Sequence, residues 1–248
     1  MKKSFKIMAA AAMAFALSLG SISALGSVTK NGAVSDEIII DGKKVEKDSV
    51  KAGFKTTFDK TVVSAAVVTE IEQLNENPTK LLEVLNNEKV NLPAGDGVKM
   101  EHVAMLTSIQ NLELIDQTTG EPIKDAKNVT MTWEVPNLTT NAGVIRILHY
   151  STVRNVWELL IPDAVDYSTK SVTVTFPDLS PVAVVYVPKD KVSEIGNIKD
   201  YGNGSKPNDI IKGTAEVVET KNNSIYYMSG LVILAGAAVY LFKRKANA

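Results

Sequence analysis

One uncharged run near the C-terminal end constrains this chain more than any other feature. Ile225 through Phe242 contains no charged side chain, and Lys243, Arg244 and Lys245 follow at once. As a helix rising ~1.5 Å per residue, such a run spans about 27 Å, close to the hydrocarbon thickness of a bilayer. A lone segment in hydrocarbon must satisfy its backbone polar groups internally, so a helix is its only workable form. Tyr226, Tyr227 and Tyr240 fall near the two ends of the run, where aromatic rings favour the headgroup level. The basic triplet favours the cytoplasmic side. The sequence therefore predicts one transmembrane helix at 225–242 and a basic cytoplasmic tail at 243–248. The competing reading is a buried core helix. The unbroken run and its basic flank favour the membrane.

The other end fits the same topology. Lys2, Lys3 and Lys6 form a basic head, Ile7 to Leu19 an apolar stretch, and small residues follow at Gly20, Ser21, Ser23, Ala24 and Gly26. This is the pattern of a secretory signal peptide over 1–26, with cleavage after Ser23 or after Gly26. An uncleaved anchor is the alternative, against which the short apolar stretch argues. The expectation is a single-pass type I protein of the cell membrane, with residues 27–224 outside the cytoplasm.

Charge and cysteine content narrow the classes. Residues 27–224 hold 21 basic and 28 acidic side chains, a net charge of −7. That balance argues against nucleic acid or anionic lipid as a partner. The chain has no cysteine, so an exported domain must be held by its apolar core, without disulfides. Thiolate nucleophiles and cysteine metal sites are excluded as well.

Between the ends, the pattern changes along the chain. Residues 27–97 read as short strands and a helical pair. Ile38-Ile39-Ile40, Asp41-Gly42 and Lys44-Val45-Glu46 have the form of a hairpin around an Asp-Gly turn. Residues 61–74 mix β-branched side chains with helical spacing at Val63, Val67, Ile71 and Leu74, and are read as helix. A second helix is predicted from an Asn77 cap and Pro78 at the first position, with Leu81, Leu82 and Leu85 as its apolar face to about Asn87. Residues 98–188 are β-rich. Val103 to Ile115 reads as a strand or a bulged pair of strands. Val129, Met131, Trp133 and Val135 alternate with Thr130, Thr132 and Glu134, and Val172, Val174 and Phe176 alternate with Thr173 and Thr175. Alternation of period two puts one face in a core and the other in water. The fold class expected is mainly β: a β-sandwich with a short helical pair before it, in one ectodomain. Trp133, Trp157, Val172, Val174 and Phe176 are the expected core. Residues 189–224, rich in charge, Gly, Asn and Ser, read as a linker, although Ile195, Ile198, Ile210, Ile211, Val217 and Val218 offer places for it to dock.

Leu148-His149-Tyr150, Trp157-Glu158, Val172-Thr173-Val174-Thr175-Phe176 and Leu179-Ser180-Pro181-Val182-Ala183-Val184-Val185 together resemble a recurring module of Gram-positive surface proteins. In those proteins the module ends a β-sandwich ahead of a linker and a membrane or wall anchor. The resemblance spans roughly residues 100–188 and the C-terminal anchor. It implies an architecture and is nearly silent about activity. A wall-sorting signal would need a Leu-Pro-x-Thr-Gly-like motif before the apolar run. Val218 to Ser224 contains no proline, so a retained membrane helix is favoured over transfer to the cell wall by an unusual sortase.

Few residues suggest chemistry. His149 can be written into a catalytic set with Ser151, Glu158, Asp163 or Asp166, but an outward or hydrogen-bonded strand position is the simpler reading. Asp163, Asp166 and Asp178 lack the Asp-x-Asp-x-Asp-Gly spacing of a calcium loop and are read as solvated. Trp133 and Trp157 suit core packing better than a carbohydrate platform. No nucleophile elbow, zinc-protease helix, phosphate loop or dinucleotide fingerprint occurs. No catalytic residue, metal ligand or cofactor is assigned. The expectation is a non-enzymatic surface protein with a cell-wall or host-surface ligand. The alternative is a glycan- or peptide-binding module acting with another protein.

Overall fold

The computed structural model describes residues 28–199, which form a mainly β structure of two sheets. The expected signal peptide (1–26), the transmembrane helix (225–242), the basic tail and linker residues 200–224 lie outside the described residues. Among the described residues no helix is long and apolar enough to cross a membrane.

The chain opens with β1 (Val34–Ile40) and β2 (Lys43–Lys44), joined by Asp41 and Gly42. Both turn residues have positive φ, 49° and 73°, so the Asp-Gly pair makes the primed turn that matches strand twist. β3 (Val50–Lys55) crosses to the other sheet. Helix α1 (Ala65–Glu76) follows, capped by Ser64, whose Oγ accepts from the Val67 N–H. It buries Val67, Val68, Ile71 and Leu74.

The second helical piece is shorter than expected. Pro78–Lys80 is a 3₁₀ turn and α2 covers only Leu81–Val84. Leu81, Val84 and Leu85 are buried while Leu82 is 40% exposed. Adjacent helical residues point about 100° apart, and here Leu82 falls on the solvent side of that arc. Asn77 caps the end of α1 and makes no side-chain cap to the second helix.

Next come β4 (Val90–Asn91), β5 (Ala104–Met105), β6 (Gln110–Asp116), β7 (Lys127–Glu134), β8 (Val144–Ser151), β9 (Val156–Leu160), β10 (Ala164–Asp166), β11 (Ser171–Asp178), β12 (Pro181–Val187) and a final turn of helix, α3 (Lys189–Val192). Sheet one has the order β10-β11-β7-β1-β2. Sheet two runs β3-β6-β12-β8-β9-β4, with β5 also on β12. All these pairings are antiparallel except β4 with β9.

Sheet one shows why alternation was visible in the sequence. Val129, Met131 and Trp133 of β7, with Val172, Val174 and Phe176 of β11, face sheet two and are at most 1% exposed. Trp133 lies edge-on to Phe54 of β3 and stacks on Phe176, with ring centroids 5.7 and 5.8 Å apart. On the outer face Thr130 pairs with Thr175 and Thr132 with Thr173, their hydroxyls 2.7 and 2.8 Å apart.

Sheet two is covered on both sides. Ile145 and Ile147 of β8 and Val182, Val184 and Tyr186 of β12 pack toward sheet one. Val144, Leu148 and Tyr150, with Ala183, Val185 and Val187, pack on the other side against α1, α2 and the turns around them. Hence β8 and β12 are buried at every residue; β12 reads as a continuous apolar run, and β8 is interrupted only by Arg146, His149 and Ser151. Trp157 belongs to this second core and is 4% exposed.

Two sequence expectations are corrected. Residues 189–199 are not linker: Val192 and Ile195 are 2% and 8% exposed and Ile198 packs beside them. Asp178 is not solvated: it is 6% exposed and held inside the fold.

Candidate functional site

His149 is the centre of the densest polar group among the described residues. The turn Thr152–Asn155 joins β8 to β9 and sets Glu158 directly opposite His149. Asn155 takes the left-handed conformation (φ 54°) that the turn needs. His149 Nδ1 and Glu158 Oε1 are 2.7 Å apart, and His149 Nε2 lies 3.0 Å from the Asp178 carbonyl oxygen. The Ser180 hydroxyl makes a very short contact with the same Nε2. Ser151 Oγ donates to Asp178 Oδ2 at 2.8 Å, and the Thr152 N–H donates to Oδ1 at 3.2 Å. Arg154 closes the group from outside, donating through Nη2 to Glu158 at 2.6 Å and through Nε to Ser151 at 3.1 Å. The Phe176 ring forms one wall, 5.6 Å from the imidazole.

Of the two strand positions expected for His149, outward or hydrogen-bonded, the structure shows the hydrogen-bonded one. It is 0% exposed and faces sheet one. The partners weighed for it divide: Ser151 and Glu158 join it, while Asp163 and Asp166 do not. Asp163 accepts from Thr175 Oγ1 at 2.7 Å, and Asp166 caps the turn at Ser168 and Thr169.

Burial alone pushes the Glu158 carboxyl up. Hydrogen bonds from His149 and Arg154, and the charges of both, outweigh that and hold it below the usual carboxylate range. The same bond to Glu158 pushes Arg154 further up.

A serine hydroxyl on imidazole Nε2, with Nδ1 on a carboxylate, is the connectivity of a nucleophilic triad. Catalysis also needs a substrate carbonyl beside the hydroxyl and donors aimed at its oxygen. Ser180 is 2% exposed, His149 0% and Glu158 6%. None of the three lines the clefts beside Phe54 and Gln110, beside Asp48 and Gln117, or beside Glu70 and Trp157. What the geometry shows is a structural link. β11 ends in sheet one at Asp178, and β12 starts in sheet two at Pro181. The cluster satisfies the buried polar groups of the corner between them and bonds the sheets together there.

A second buried ionic centre lies on the helix side of sheet two. Arg146 of β8 donates through Nε to Asp96 Oδ2 at 2.8 Å, and both side chains are 0% exposed. Sequence reasoning passed over both residues. A charge within a run as apolar as Val144–Tyr150 was the available signal, since a central strand leaves it no route to water.

Trp133 and Trp157 are too buried to stack a sugar ring. Trp133 Nε1 donates to Asn31 at 3.2 Å, and Trp157 Nε1 donates to Glu70 at 3.0 Å. The edge of Trp157, with Tyr150, Glu70, Lys89 and Asn155, does line a cleft of about 500 Å³ between α1 and the β8–β9 turn. Burial, and then the charge of Glu70, push the Tyr150 hydroxyl up. Among the described residues no group of three or more His, Cys, Asp or Glu side chains is placed to hold a metal ion.

Compared with family models, with curated proteins and with solved structures, the chain gives no significant match in any of the three.

Proposed function

We propose that this chain is a non-enzymatic cell-surface protein of the Gram-positive kind, anchored by one membrane helix at 225–242. Its β-sandwich stands outside the membrane for adhesion or envelope contact. The observation behind the non-enzymatic reading is the burial of Ser180, His149 and Glu158, which keeps a triad-like connectivity away from solvent. The uncharged run before Lys243-Arg244-Lys245 supports the anchor. Protease added to intact, wall-stripped cells should destroy residues 27–224 and spare an epitope placed after Ala248. Protection of residues 27–224 would refute the topology.

The cleft between α1 and the β8–β9 turn favours a second reading, a binding module for a glycan or peptide. Aromatic edges, a carboxylate, an ammonium and an amide meet there. Calorimetric titration of the full chain with soluble peptidoglycan fragments tests it. Heat of binding that disappears in Glu70→Ala would favour this reading.

A further inference from the structure

Beyond β12 the chain does not leave the fold at once. It first passes Gly143, whose φ of 67° and bare Cα let the Val187 carbonyl and the Lys189 N–H approach; a Cβ there would meet them at 2.3 and 2.9 Å. After α3, Ile195 and Ile198 lie on the helix-side core. The last stretch is bonded to the turn at 95–97. Asn197 Nδ2 donates to the Gly95 carbonyl at 2.7 Å, the Gly97 N–H donates to the Asn197 carbonyl, and the Lys199 N–H donates to Asp96 Oδ1 at 3.1 Å. Arg146 Nη2 donates to the Lys199 carbonyl at 3.0 Å. The backbone of Lys199 thus bridges both members of the buried ion pair.

We propose that residues 189–199 are a strap that opens as a unit ahead of the sandwich, lengthening the tether while both sheets stay intact. Two features set its stability apart. The strap is not a strand of either sheet; among the described residues it is held by a few hydrogen bonds and by Val192, Ile195 and Ile198, and it follows directly on the strand end at Val187. What lies under its far end is charge. Burying Arg146 and Asp96 costs solvation, and lifting Lys199 returns water to both, which offsets part of what the broken bonds cost. Opening β8 or β12 costs far more, because it breaks strand pairing and exposes apolar side chains on two faces. Eleven residues released and pulled straight reach up to about 35–40 Å. Opening itself does not depend on where the chain is anchored; its role as a slack reserve rests on the membrane reading above.

Hydrogen exchange followed by mass spectrometry on the full chain in detergent micelles tests this. The Gly97 and Lys199 amides, both bonded across the strap, should exchange together, at least about 100-fold faster than the amides of β8 and β12. Asn197→Ala, which leaves the ion pair in place, should speed exchange at Gly97 and Lys199 several-fold and leave β8 and β12 unchanged. Asp96→Asn should speed it more. If the Gly97 and Lys199 amides of the unaltered chain exchange only as slowly as β8 and β12, the strap is part of the global unit and the proposal fails. If Asn197→Ala speeds strap and strands alike, it fails too. Neither failure touches the topology, which the protease experiment decides separately.

Discussion

Two buried ionic centres flank the central strand β8, and their covers differ. On the side facing sheet one, His149 and Glu158 are walled by Phe176 and by continuous antiparallel strands. On the helix side, Arg146 and Asp96 are covered at Lys199 by the strap. Each centre sets a nitrogen-bearing side chain against a carboxylate, yet the first lies among paired strands and the second lies under a few bonds of the strap. The accessibility of a buried charge is set by what lies over it more than by how deep it sits.

The largest effect should come from thinning the wall of the first centre. Trp133→Ala removes the ring that stacks on Phe176 and should cost about 3–5 kcal/mol, measured by urea unfolding of the 27–224 region followed by circular dichroism. Trp157→Ala belongs to the helix-side core and should cost a similar amount. A value within ~1 kcal/mol of wild type at either position would mean that the ring is not packed as described.

His149→Ala comes next, at about 2–3 kcal/mol. It deletes a fully buried ring and leaves the Glu158 carboxylate and the Asp178 carbonyl short of a partner. A loss below ~1 kcal/mol is what an exposed strand histidine would give, and would contradict the sealed cluster. Asn197→Ala, by contrast, should change global stability by under ~1 kcal/mol although it loosens the strap.

The pH dependence is smaller and discriminates between the centres. The Glu158 carboxyl is held low in the folded state, so its contribution is complete above the ordinary carboxylate range near 4.3 and is lost as pH falls through its lower folded value. Stability of wild type should fall more steeply below about pH 4.5 than that of Glu158→Gln, which no longer titrates there. Equal slopes would remove Glu158 from the acid response.

The smallest effect concerns the outer face of sheet one. Thr173→Val breaks one hydroxyl pair at a half-buried position and should cost under ~1 kcal/mol, read from the same urea curves.

Much of the fold was legible because local pattern and tertiary role agree. The Asp41-Gly42 turn, the alternation in β7 and β11, and the α1 face are all set by residues within a few positions of one another. The second helix was misread because Leu81 and Leu82 were counted on one face. The early part of the linker was half read: its polar composition argued for a tether, while the docking offered by Ile195 and Ile198 is what the fold shows. The polar cluster was partly within reach: a hairpin turning at 152–155 must set His149 against Glu158. Asp178 and Ser180 were not, since only the crossing from sheet one to sheet two brings them to the imidazole. Nor was the Asp96–Arg146 pair, which joins positions 50 residues apart in sequence.

The place of β12 has a kinetic consequence. In sheet two it lies between β6 and β8, so without it that sheet falls into β3 with β6 and β8 with β9 and β4, and β5 is left unpaired. It is also the last strand made among the described residues. A chain emerging from its N-terminal end can form hairpins early, such as β8–β9. It cannot join the halves until Pro181–Val187 is available. Long-range pairing of this kind slows folding, because loop closure comes before the contacts that reward it. If the chain is exported as proposed above, the domain would stay unassembled until nearly all of it had crossed, and would then complete its centre in one late step.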